Sequence, residues 1–162
     1  MANLVQIEQH LHQLQLDFKV IDLDREAFTV ADVVDAGIKP DEVVKTLVLR
    51  IYPRSSPGLE RSQKVKFIAL ALKGSDRVDF KKVRRLFGSK SELAKPGEVL
   101  KVVGVPIGAV CPVLVGIPLY FDRKVLELKN VHMGSGDLMH GLEMKLENLL
   151  KAVGEYQIEE LL

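Results

Sequence analysis

Residues 43–51 read VVKTLVLRI, and residues 65–72 read VKFIALAL. Both are apolar, rich in β-branched or strand-compatible side chains, and long enough to be central strands. Between them, residues 53–63 (PRSSPGLERSQ) have the composition of a loop. The three pieces together predict a long β-hairpin at the centre of the fold.

Working outward, Leu4, Ile7, Leu11 and Leu14 recur at helical spacing and predict an amphipathic helix over about 4–15. Phe18, Val20, Ile21 and Leu23 suggest a short strand. Thr29 is a natural N-cap for a helix running to Ala36, with Gly37 as its stop. Asp79 caps a basic helix ending at Gly88, and Pro96 opens another helix reaching Val103. The second half is turn-rich, with Gly104, Pro106, Gly108, Pro112, Gly116 and Pro118 punctuating apolar pieces. Strands are expected at 119–122, 125–128, 131–133 and 142–145, and a closing helix at 146–153. Helices and strands mix without steady βαβ alternation, which predicts an α+β fold, a single domain over 1–162 built on one mixed sheet.

Composition bounds the class. The chain has 162 residues, 47% apolar and 28% charged, with 12 Gly and 7 Pro. Such a chain buries a sizeable core and is neither disordered, collagenous nor coiled coil. No apolar run approaches the ~20 residues of a membrane span, and MANLVQIEQH has polar residues where a secretory signal is apolar. A cytoplasmic protein without membrane partners is expected. The single cysteine, Cys111, forms no internal disulfide. The net charge of +1 hides an asymmetry. Twelve Lys/Arg against three Asp/Glu between Arg50 and Lys90 give that segment +9, leaving −8 elsewhere. This is the pattern of a face that meets a polyanion, or else of a solvated stretch offset by acids folded beside it. Lys81, Lys82, Arg84 and Arg85 are its densest part, and 81, 84 and 85 share a helix face.

Several residues could carry chemistry. Lys45 lies inside an apolar strand, an expensive place for an ammonium group. It either snorkels to water from an edge or faces a cleft, where it could bind a phosphate, polarise a carbonyl or form a Schiff base. The loop Gly104–Pro112 (GVPIGAVCP) could turn backbone N–H groups outward as an oxyanion cradle, or simply be a loop. Cys111 has no base near it in sequence, and its default role is packing. In Met133–Gly141 (MGSGDLMHG), Ser135, Asp137 and His140 lack a nucleophile elbow, and the stretch is no Walker loop. His132 and His140 supply at most two metal ligands with no third suggested by spacing, so no metal and no cofactor are expected.

These pieces, in this order, resemble the YbaK-like aminoacyl-tRNA deacylase family, which is also the editing domain inserted in bacterial-type prolyl-tRNA synthetases. The resemblance spans nearly the whole chain: TVADVVDAGI, VVKTLVL, FIALALKGSDRVDFKKVRRLFG, GVPIGAVCP, a PLYFDRKVLEL hairpin and MGSGDLMHGLEMKLENLL. It implies a mixed, barrel-like sheet flanked by helices, and hydrolysis of the ester joining a wrong amino acid to the terminal ribose of a tRNA. The implied substrate is tRNA-Pro carrying a small wrong residue such as alanine or cysteine, with a prolyl-tRNA synthetase as a further candidate partner. Lys45 would be the family lysine, and Gly108 and Pro112 would frame the Gly-x-x-x-Pro loop. Gly134, Ser135 and Gly136 would form a second glycine turn. His140 matches a histidine of the synthetase-insert branch and its alanine-editing relatives, whereas the cysteine-editing branch tends to differ there. Lys45, Gly108 and His140 are thus the expected catalytic set, with Thr46, Pro112 and Gly134–Gly136 as substrate contacts. Lys81, Lys82, Arg84 and Arg85 are the expected tRNA contacts. An aminoacyl ester is already activated, so positioning and oxyanion stabilisation suffice without a protein nucleophile. The alternatives are a tRNA- or aminoacyl-binding module without catalysis, a Schiff-base lysine enzyme, and a partner-dependent regulatory domain.

Overall fold

A computed structural model describes residues 2–53 and 65–162. The hairpin expected from the sequence is present. β2 (Val44–Ile51) and β3 (Lys66–Lys73) pair antiparallel along their full length, from Val44 opposite Lys73 to Ile51 opposite Lys66. Most of the connecting loop, including Arg54, Arg61 and Lys64, lies outside the described residues.

Around this hairpin the sheet is not one but two. The first has the order β1 (Lys19–Asp22), β7 (His140–Lys145), β6 (Asn130–Gly134), all antiparallel. The second has five strands in the order β4 (Ser91–Leu93), β2, β3, β5 (Leu119–Asp122), β8 (Gln157–Glu159). In the second sheet β3–β5 and β5–β8 are parallel while β2–β4 is antiparallel, so it is mixed. Among the described residues a single parallel bridge, Val43 to His132, joins the two sheets, which do not close into a barrel.

The helices follow their caps. In α1 (Leu4–Gln13) the Asn3 side chain accepts from the Gln6 N–H at 3.0 Å while Gln6 accepts from Asn3. In α2 (Val30–Asp35) Thr29 and Asp32 form the same reciprocal pair. α3 (Phe80–Phe87) starts on Asp79 and ends on Gly88 in the left-handed region, φ 69°. α4 (Pro96–Val103) and α5 (Leu146–Val153) complete the set. No described helix is long and apolar enough to cross a membrane.

Strand alternation sorts the core. Val44 and Val48 of β2, with Ala69 and Ala71 of β3, face one side. There Val44, Ala69 and Ala71 join Ile7, Leu11, Phe121, Val131, Leu142 and Leu149. Leu47, Leu49, Leu70 and Leu72 face the other side and pack under Val83 of α3. One expected strand is absent: residues 123–127 form a 3₁₀ turn. Buried Asp122 explains it, because its carboxylate accepts from the Lys124 N–H at 3.1 Å and the Leu161 N–H at 3.2 Å, turning the chain at once. The PLYFDRKVLEL stretch is therefore strand and turn rather than a hairpin.

Candidate functional site

β2 has an incomplete outer edge. β4 covers it only at Leu49–Ile51, with the Ala94 N–H donating to the Val48 carbonyl at 2.9 Å, and β6 meets it only at Val43. Between those two attachments the ladder turns the N–H and C=O of Thr46 outward, on the same edge as Val48. A cavity of about 280 Å³ opens there. Its walls come from Ala27–Val30, the β2 edge, β4 and α4 at Leu93, Ala94 and Val99, the loop at Ile107–Val110, and the β6–β7 turn.

The lining is mostly apolar, with few polar groups. Lys45, Thr46 and His140 all line the cavity, together with Gly108 and Gly134. Pro112, Ser135 and Gly136 do not. Ser135 is fully buried, and its hydroxyl donates to the His140 carbonyl at 2.7 Å while accepting from the Asp137 N–H at 3.3 Å, so it shapes the turn.

Gly108 is required by the backbone. Its φ is +91°, and a Cβ there would lie 2.6 Å from Phe28 Cα. The loop can therefore lie directly against residues 27–28, a segment itself tied down by the Ala27 N–H donating to the Leu138 carbonyl at 2.9 Å. The loop is fixed from its other side too, since the Gly136 N–H donates to the Ala109 carbonyl at 2.7 Å. The glycine turn thus supports the cavity wall even where it does not line it.

Lys45 makes no ion pair among the described residues. Desolvation lowers its pKa; Asp76 opposes this and Arg77 adds to it. His140 Nδ1 lies 3.2 Å from Asp137 Oδ1, and the same oxygen accepts from the Met139 N–H at 2.7 Å. That backbone bond, more than His140, holds the Asp137 carboxyl below its ordinary range. An ionised Asp137 accepts from Nδ1–H, which leaves the lone pair of a neutral His140 on Nε2. The arrangement offers a cation, an oriented imidazole and a strand edge unpaired among the described residues around an apolar space, enough to hold an ester carbonyl and a water.

One lining group was not singled out by the sequence for this site. His132, 2% exposed, lines the same cavity with neither ring nitrogen hydrogen-bonded among the described residues. Burial pushes its pKa down to about 4. An unmade hydrogen bond at a buried donor or acceptor costs about 1–3 kcal/mol. Thr46, an expected substrate contact, likewise has its Oγ1 enclosed without a partner among the described residues. The sequence offers His132 only as a conceivable metal ligand beside His140. Cys111, by contrast, sits in the core, where burial pushes its thiol up to about 12. Among the described residues no three His, Cys, Asp or Glu side chains gather as a metal site.

The basic segment divides. Arg50 pairs with Glu98 at 3.1 Å and lies over the Tyr52 ring, while Lys82 donates to the Leu162 carbonyl. Lys81, Arg84 and Arg85 are exposed on α3 without ion pairs among the described residues.

The uncharacterized protein YwhH of Bacillus subtilis is 25% identical over 150 residues, covering 91% of this chain and 88% of YwhH. A proline–tRNA ligase of a Sulfurihydrogenibium species is 25% identical over 118 residues, 72% of this chain but only 19% of the ligase. The crystal structure of the hypothetical protein APE2540 superposes with a TM-score of 0.74 at 25% identity, covering 94% of this chain and 97% of that one. That of a candidate trans-editing enzyme for prolyl-tRNA synthetase shares the fold, with a TM-score of 0.73 at 24% identity, covering 99% and 98%. The family model described as the aminoacyl-tRNA editing domain matches residues 24–152. The chain therefore belongs to the aminoacyl-tRNA editing domain family.

Proposed function

We propose that this protein is an aminoacyl-tRNA deacylase acting in trans: it hydrolyses the ester between a small wrong amino acid, such as alanine or cysteine, and the terminal ribose of tRNA-Pro. The observation that carries the reading is the meeting of Lys45, Thr46, Gly108 and His140 at one apolar cavity beside an unpaired strand edge. In this reading the ester carbonyl lies near Lys45 and the Gly108 loop, whose charge and dipoles stabilise the developing oxyanion. His140, oriented by Asp137, holds the attacking water or the ribose hydroxyl through Nε2. No protein nucleophile is called on: the Cys111 thiol is held protonated in the core and the Ser135 hydroxyl is engaged in its turn. The small cavity limits which amino acid enters, so larger side chains are excluded by clash.

The same reading takes 1–162 as one editing domain and the exposed cations of α3, with Lys82 at their flank, as contacts for tRNA phosphates. It places the protein in the cytoplasm, with a prolyl-tRNA synthetase as its candidate partner. The test is a panel of tRNAs charged with Ala, Cys, Ser, Thr and Pro, incubated with the protein at low ionic strength. Release of at least one small amino acid well above the spontaneous rate is expected. Binding without turnover on every member would replace the deacylase by a binding module.

A further inference from the structure

Within the cavity, the His132 ring and the Thr46 hydroxyl are given no role in the proposed bond-breaking step. His132 lies in the middle of β6, at the point where Val43 bridges the two sheets, and it is 2% exposed. Its ring takes the volume that a side chain at residue 141 would fill: a Cβ built on Gly141 falls on His132 Cε1 and Nε2. The fold thus gives up a side chain on β7 to admit an imidazole, and then offers neither nitrogen a partner. Thr46, on the facing strand edge, presents an enclosed hydroxyl in the same condition. Apolar side chains would fill both positions without leaving polar atoms unpaired.

We propose that His132 and Thr46 form a neutral hydrogen-bonding wall of the cavity that receives a hydroxyl group of the aminoacyl-adenosine end. A neutral imidazole has one donor and one acceptor, and a hydroxyl answers both roles. Burial keeps the ring uncharged, so the wall favours a neutral partner over a carboxylate or phosphate. The hydroxyl has two sources: the side chain of the misattached amino acid, as in serine or threonine, or the ribose 2′-OH. A wall built to pair with a hydroxyl rejects the analogue lacking it far more strongly than an apolar wall separates two sizes. The inference rests on the editing reading for the identity of the ligand, and its test reads binding rather than turnover.

The probes are non-hydrolysable 5′-phosphorylated 3′-aminoacylamino-3′-deoxyadenosines, seryl and alanyl, each with and without the 2′-OH. They are titrated calorimetrically into wild type, His132→Phe and His132→Gln, with melting temperatures measured alongside. His132→Phe is expected to melt at or above wild type while binding hydroxyl-bearing analogues roughly tenfold or more weakly, and His132→Gln should restore most of that loss. If the hydroxyl belongs to the amino acid, the wild-type preference for seryl over alanyl disappears in His132→Phe. If it belongs to the ribose, seryl and alanyl weaken together and the 2′-deoxy analogues become insensitive to the substitution. Wild-type affinity of His132→Phe for all four analogues overturns the proposal. So does an equal loss on all four, the one lacking both hydroxyls included, because that marks a packing role. Hydroxyl-dependent binding without hydrolysis of any charged tRNA would remove the deacylase reading and leave this wall standing.

Discussion

The imidazole of His132 occupies the space that any side chain at Gly141 would need, across the β6–β7 pair. Gly141→Ala therefore has no room unless the ring leaves its position. Overpacking of this kind destabilises by about 1–3 kcal/mol. Gly141→Ala should lower the urea midpoint by a corresponding amount, and adding His132→Ala should recover part of the loss. Additive effects in that double-mutant cycle would show that the two residues do not compete for space.

His132 also sets a pH dependence of stability. Its folded pKa, about 4, lies below the ordinary 6.5, so the unfolded chain binds a proton first. Between about pH 6.5 and pH 4 the unfolded state carries more protons here, and stability falls as pH is lowered, by as much as about 3 kcal/mol. Above that window the contribution is level. His132→Phe should remove this part of the slope while leaving the acid loss due to Asp32 and Asp137, whose lowered pKa values act at lower pH. Denaturant midpoints at pH 4.5 and 7.5 for the two proteins decide it; parallel profiles would refute the assignment.

Lys45→Ala should abolish most deacylation while the protein stays folded. Desolvation already disfavours the Lys45 charge, and no ion pair among the described residues is lost with it. A wild-type rate on the best substrate, with an unchanged melting temperature, would move the catalytic cation elsewhere.

The thiol should be inert. With Cys111 buried and its pKa pushed up to about 12, iodoacetamide should leave the native protein unmodified at neutral pH. Cys111→Ala should keep activity within about tenfold, the rate following stability rather than chemistry. Rapid alkylation with loss of activity would bring a nucleophilic cysteine back.

Arg84→Glu with Arg85→Glu should raise KM for every tRNA alike and flatten its salt dependence, since each phosphate contact releases condensed counterions. The choice of amino acid should not change. Initial rates at two ionic strengths test this, and an unchanged KM and salt slope would leave α3 as a solvated face.

What the sequence disclosed follows from how local each signal is. β2, β3 and the caps Thr29, Asp79 and Gly88 are written in neighbouring residues, and the structure has them where expected. β4 and β8 are three residues each and exist only because Ser91 meets Ile51 and Ile158 meets Phe121. Val125–Leu128 has strand composition, but the carboxylate of Asp122 overrides it. Resemblance nominated Lys45, Gly108 and His140, and the fold brings all three to one cavity. It could not nominate His132, since a histidine between Val131 and Met133 looks like any strand residue until tertiary packing strips it of partners.

The Val43–His132 bridge has a kinetic meaning as well. It joins two sheets through residues far apart in the chain, and the entropy of closing so long a loop must be met before either sheet gains from the contact. The cavity straddles that junction, so it exists only where both sheets have come together. Neither sheet on its own, nor any nascent fragment ending before β6, can hold a ligand there. A cavity at such a seam exists only in a chain folded through β7.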